Sequence, residues 1–138
     1  MANASDYLEA KLLDHIVGKT SYTMPTAYIA LCTADPTDSG TGASMNELPD
    51  ASGYARVTTA GGDWDAAASP GGATANASKF TFTANGGAWA EVTHFAIVDS
   101  AVHGAGNMLI HGALDVTKTA ADGESIEFAI GALDLTLA

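Results

Sequence analysis

The spacing of hydrophobic positions changes once along this chain, near residue 18. Before that point Leu8, Leu12, Leu13 and Ile16 recur at intervals of four, one and three. Such intervals gather side chains on one face of a helix, and they predict a helix over residues 5–17. Asp6 followed by Glu9 offers a capping-box-like start, with Ser5 as the alternative cap. Gly18 is placed to end the helix in a left-handed conformation. Asp6, Glu9, Lys11 and Asp14 lie around the apolar stripe and are expected to stay in water.

Beyond Gly18 the period falls to two. Ala27-Tyr-Ile-Ala-Leu-Cys-Thr33 reads as a strand with little polarity on either face, stopped by Ala34-Asp-Pro-Thr37, since proline cannot continue a central ladder. Residues 37–53, rich in Gly, Ser, Thr and Asp, read as a long surface loop. Tyr54–Thr59 is the next predicted strand, followed by a Gly, Ala and Asp stretch around Trp64 with no clear period. Lys79-Phe-Thr-Phe-Thr83 alternates cleanly, and Asn85-Gly-Gly87 marks a turn. Val92–Val98 and Met108–Leu114 form further strands, separated by Gly104-Ala-Gly106. Asp122-Gly123 then joins that arm to Ile126–Ile130, and Leu133–Leu137 closes the series.

About seven short strands with glycine-rich turns after one helix predict a mainly β fold. The expected form is an antiparallel β-sandwich or jelly roll with one N-terminal helix, the strands occupying residues 27–137. No helical pattern separates consecutive strands, which disfavours a parallel α/β sheet. No internal repeat or linker divides the 138 residues, so residues 1–138 read as a single domain.

Composition narrows the partners. Sixteen acidic and five basic residues give a formal net charge of −11. With cations only at Lys11, Lys19, Arg56, Lys79 and Lys118, the chain is poorly suited to nucleic acid or to anionic lipid. No apolar run has the length of a membrane span, and the first residues lack the basic and apolar regions of a signal peptide. Cys32 is the sole cysteine, which excludes an internal disulfide and a Cys-rich zinc site. The expectation is a soluble, acidic protein made inside a cell.

Candidate chemistry is sparse. His94, His103 and His111 lie on or between neighbouring strands, but there is no His-x-His pair with a nearby Glu. They read as hydrogen-bonded core or cleft residues, and no metal is expected. Asp35-Pro-Thr-Asp38 lacks the alternation and terminal Glu of an EF-hand and reads as a turn. Cys32, in an apolar strand, reads as a small hydrophobe. No Gly-x-Ser-x-Gly elbow and no phosphate-cradling glycine loop ending in Lys-Ser/Thr is present. No catalytic residue, cofactor or enzymatic activity is therefore expected.

Six residues are candidates for an interface: Leu8, Leu12, Leu13, Ile16, Trp64 and Trp89. The helix stripe reads first as closing one end of the protein's own sandwich, which would leave loop tips and a sheet edge to meet a partner. The alternative is that the stripe itself docks. Trp89, before a strand, reads as structural. Trp64 reads as core edge or as interface, and either tryptophan would serve as a stacking platform for a sugar if exposed.

The ordered motifs Asp6-Tyr-Leu-Glu9, Lys11-Leu-Leu-Asp-His15, Ala27–Thr37, Gly53-Tyr-Ala-Arg56, Asn76-Ala-Ser78, Trp89, Val92–Asp99 and Gly112-Ala-Leu114 cover nearly the whole chain. In order and spacing it resembles small virion structural proteins of tailed bacteriophages, which include capsid cement or decoration proteins and β-sandwich proteins labelled as tail-fibre components. The resemblance implies a virion component and supplies no catalytic residues. The leading expectation is a non-enzymatic capsid decoration protein that binds the major capsid protein as a homo-oligomer. It would sit on the capsid surface after assembly in the host cytoplasm. The alternatives are a tail, neck or fibre-associated component, and a carbohydrate-binding module using Trp64.

Overall fold

A computed structural model describes residues 2–137. Along the chain run β1 (Ala2–Ala4), α1 (Asp6–Ile16), β2 (Tyr28–Cys32), β3 (Val57–Thr58), β4 (Thr74–Ala75), β5 (Phe80–Thr83), β6 (Trp89–Val98), β7 (Met108–Ala120), β8 (Ser125–Phe128) and β9 (Asp134–Leu135). A 3-10 turn at Gly61–Asp63 lies between β3 and β4. Seven strands form one sheet in the order β3-β2-β6-β7-β1-β9-β4, and β5 and β8 form a second, two-stranded sheet. The fold is mainly β and sandwich-like, with one N-terminal helix, as the sequence predicts.

Helix α1 starts at Ser5. Ser5 Oγ accepts a hydrogen bond from the Leu8 amide at 3.2 Å, and Ser5 rather than Asp6 is the N-cap. The same hydroxyl donates to the Met108 carbonyl at 2.5 Å, so the cap also fastens the helix to β7. Gly18, with φ +73°, turns the chain after the helix, a backbone conformation that costs glycine no Cβ clash.

The large sheet is built on β2, β6 and β7, which pair antiparallel. Residues opposed across antiparallel strands point to the same face, so the register sorts the side chains. One line runs through Ile29, Ile97, Ile110 and Ala4, and a second through Leu31, Phe95, Gly112 and Ala2. This face packs on the small sheet, whose Phe80, Phe82, Ile126 and Phe128 point inward while Thr81, Thr83, Ser125 and Glu127 point out. A register shift between Ile97 and Val98 puts two β7 residues, Leu109 and Ile110, against this same core, the local effect of a β-bulge. The opposite face, with Ala30, Cys32, Ala96, Val98 and Met108, is closed by Met45.

Several sequence expectations are corrected. Residues 2–4 form a central strand of the large sheet, so the β structure does not begin at 27. Its pairing with β9 is parallel, through Ala2 and Leu135, which makes the sheet mixed rather than wholly antiparallel. Residues 37–53 are more than a surface loop, because Met45 and Leu48 are buried in the two cores. Asp122-Gly123 does turn the chain, but β8 then pairs with β5 instead of returning along β7. Of the strand predicted at 54–59, only Val57–Thr58 pairs as strand, because the β2 edge at Leu31 and Cys32 is taken instead by Glu47, Leu48 and the Tyr54 hydroxyl.

Candidate functional site

The helix stripe divides. Leu8 is 2% exposed and belongs to the core, and Leu12 packs half-buried beside it. Leu13 and Ile16 are 63% and 74% exposed, as is Val17 at 74%. The expectation that all four stripe residues close the sandwich is therefore corrected for Leu13 and Ile16. The physical reason is angular: at about 100° per residue, Leu13 and Ile16 lie roughly 140° and 80° around the axis from Leu8. The arc that packs on the core runs from Tyr7 through Leu8 to Leu12, so it is centred on the other side of Leu8 and leaves Leu13 and Ile16 outside.

The tryptophans part in the same way. Trp89 is buried, donates from Nε1 to the Ser52 carbonyl at 2.9 Å, and meets Tyr54 edge to face with centroids 5.8 Å apart. It offers no free ring face to a sugar. Trp64 is half-buried and tilted against Phe80 at 5.9 Å. It walls an apolar crevice of about 150 Å³ with Leu8, Met24, Ile97, Leu109 and Leu135. Its other side borders a shallow groove along Pro25–Ala27 and Thr58–Gly61.

The most heavily bonded polar side chain among the described residues is Arg56, which no sequence motif marks as a site. Arg56 uses all five guanidinium N–H donors. Nε and Nη2 donate to Glu47 Oε1 and Oε2, each at 2.8 Å, Nη1 donates to the Ser100 and Ala105 carbonyls at 2.7 and 2.9 Å, and Nη2 also reaches the Gly42 carbonyl at 3.2 Å. Tyr54 donates to Glu47 Oε1 at 2.7 Å and accepts from the Leu31 amide at 3.0 Å. One cation thus ties the segment around Gly42–Glu47 to the loop after β6. A Cβ on Gly42 would run into the Ala105 carbonyl, so the clasp needs glycine there.

Burial sets the titration of this cluster. It alone would lower the Arg56 pKa, but the hydrogen bonds and charge of Glu47 outweigh it and leave the group above its ordinary value. Burial, then the Glu47 charge, raises Tyr54 and pushes the Cys32 thiol up to about 12. At neutral pH that thiol stays protonated, in keeping with a small buried hydrophobe.

Each of the four histidines has its own partner, and His15 Nδ1 accepts from the Tyr22 amide at 3.0 Å. His94 Nδ1 meets Thr93 Oγ1 at 2.8 Å, His103 Nε2 meets the Leu48 carbonyl at 2.7 Å, and His111 Nε2 meets Asp38 Oδ1 at 2.8 Å. Among the described residues no three His, Cys, Asp or Glu side chains converge as a metal site. Asp35 holds its turn as expected, its carboxylate accepting from the Thr37 amide at 2.9 Å.

This geometry is a scaffold with fastened loops and an exposed apolar helix end. The family model described as "Podophage GP4 fiber I protein gp80" matches residues 3–136. The chain belongs to that family. It is accordingly a small structural protein of a phage virion. No curated protein matches the chain. The matched span takes in the helix, both sheets and the Arg56 clasp.

The clasp had a signal in the sequence. Arg56 is the sole arginine, and it stands two residues from Tyr54, on the same side of an extended segment. Glu47 had none, because the fold alone selects it from sixteen carboxylates. Asn76 likewise stands in a sequence motif that does not show its role. Its amide donates to the Ser78 and Ala129 carbonyls and its Oδ1 accepts from the Leu133 amide.

Proposed function

We propose that this protein is a non-enzymatic component of the phage tail-fibre assembly, a scaffold that joins neighbouring virion proteins. The family match over residues 3–136 carries this reading, since that family is named for a fibre protein. The name fits a fibre position at least as well as the capsid-decoration role that the sequence put first. The structure supports a mechanical role in two ways. The buried polar groups Arg56, Glu47 and Tyr54 are spent on one another and on loop carbonyls. The two outer strands of the large sheet, β3 and β4, are two residues long, which leaves little unpaired edge for uncontrolled strand addition.

The net charge of −11 keeps copies apart before assembly. Attachment then rests on apolar contacts repeated around a symmetric particle, so that individually weak contacts act together. A cryo-EM map of the intact particle, with gold-labelled antibody against this chain, tests the assignment. Density and label at the tail fibres are expected. Label spread over the capsid lattice would restore the decoration reading and overturn this one.

A further inference from the structure

We infer that the outward face of α1, formed by Leu13, Ile16 and Val17, is the docking surface for another virion protein, and that the docked segment carries apolar side chains flanked by lysine or arginine. The inference rests on the tail-fibre reading above and adds to it which face is used and what chemistry recognises it.

Leu13, Ile16 and Val17 are spaced i, i+3 and i+4, so they share one side of the helix. All three are more than 60% exposed, although the same helix buries Leu8. A helix that needed only to cover its own sheet would carry polar residues there. The patch is rimmed mainly by carboxylates: Glu9 and Asp6 lie one and two turns earlier on this side and Asp14 lies beside Leu13, all exposed, against one exposed lysine, Lys19, past the helix end. Lys11, the one lysine within α1, points elsewhere, its Nζ held 5.5 Å from the centre of the Tyr7 ring.

The charge of the rim selects the partner. With the buried Arg56–Glu47 pair set aside, fifteen carboxylates and four lysines remain, so a basic segment is attracted and a second acidic copy is repelled. Area points the same way. Three side chains fall well short of the roughly 800 Å² per partner that a stable free-standing complex buries. They suit a contact that gains strength by repetition on a particle.

The test uses phage tails assembled without this protein, to which purified full-length protein is added and co-sedimentation measured. Wild type is expected to co-sediment, less so as salt is raised. Leu13→Glu and Val17→Glu, at exposed positions, are expected to keep the wild-type circular dichroism and melting temperature yet bind about tenfold more weakly or worse. Glu9→Lys and Asp14→Lys are expected to weaken binding about three- to tenfold, chiefly in the association rate. Folded Leu13→Glu that binds like wild type would overturn the assignment of this face, and binding insensitive to salt and to Glu9→Lys would overturn the basic partner. A dimer of the isolated protein that Leu13→Glu dissolves would show a second copy on the face and overturn the proposal. Wild type that fails to bind these tails would instead remove the tail-fibre reading on which it rests.

Discussion

Arg56 and Glu47 face each other through two parallel hydrogen bonds of 2.8 Å, with side chains 0% and 5% exposed. Removing one partner from a buried pair leaves the other charged and unpaired, which typically costs about 3–5 kcal/mol. Arg56→Ala and Glu47→Ala are each expected to lower the melting temperature by roughly 10–15 °C. The pair Lys79–Glu127 is a control, because both side chains are more than half exposed and 3.4 Å apart. Lys79→Ala should change stability by about 1 kcal/mol or less. Thermal melts of the three variants check the contrast.

The same cluster predicts instability in alkali. In the unfolded chain Cys32 ionises near pH 9.0 and Tyr54 near pH 10.0, whereas in the fold both hold their protons to higher pH, Cys32 to about 12. Above pH 9 the unfolded state therefore binds fewer protons than the native state, and stability must fall as pH rises. The contribution is fully present below pH 9, and for Cys32 it is lost between pH 9 and about 12, at up to about 1.4 kcal/mol per pH unit. Urea melts at pH 8, 10 and 11 should show this decline. Cys32→Ala should reduce its slope while leaving the Tyr54 part, and an unchanged slope would refute the Cys32 part of the account.

Asn76 gives a test by near-isosteric change. Its Nδ2 donates to the Ser78 and Ala129 carbonyls at 2.8 and 2.9 Å, in a fully buried position. Asn76→Asp replaces both donors with an oxygen facing two carbonyl oxygens, while Oδ1 can still accept from Leu133 at 2.8 Å. Leaving buried polar groups unmatched costs about 1–3 kcal/mol each, so a loss of about 3 kcal/mol is expected by chemical denaturation. The region from β9 to Ala129 should lose hydrogen-exchange protection first.

The legible parts of this fold were those fixed by local rules. The alternation of Phe80 and Phe82 gave β5 its buried face, and Gly18 marked the end of α1. The parts that did not show depended on contacts far apart in sequence. Ala2–Ala4 is too short to carry a period, and it is a strand only because β7 and β9 flank it. Glu47 and Arg56 are nine residues apart, but the clasp is completed by carbonyls more than forty residues from Arg56. The helix stripe was half legible, since spacing shows which residues share a side but not how wide an arc the sheet covers. That left Leu13 and Ile16 outside.

The division of the helix makes the final prediction. Leu8 is 2% exposed and walls the crevice beside Trp64, so Leu8→Ala removes packed methyl groups and enlarges an existing void. A buried Leu→Ala change costs about 2–5 kcal/mol, more where the site cannot collapse. Leu13 is 63% exposed, and Leu13→Ala should lie within about 0.5 kcal/mol of wild type, because alanine also has the better helix propensity. Leu12, half-buried against the core, lies between them, and Leu12→Asp places a charge where Leu8 and β7 meet, so partial unfolding or aggregation is expected. Urea denaturation of the three variants should therefore rank Leu13→Ala above the other two. A Leu13→Ala variant as unstable as Leu8→Ala would show that the outward face is held against the protein's own body, with no surface left for a partner.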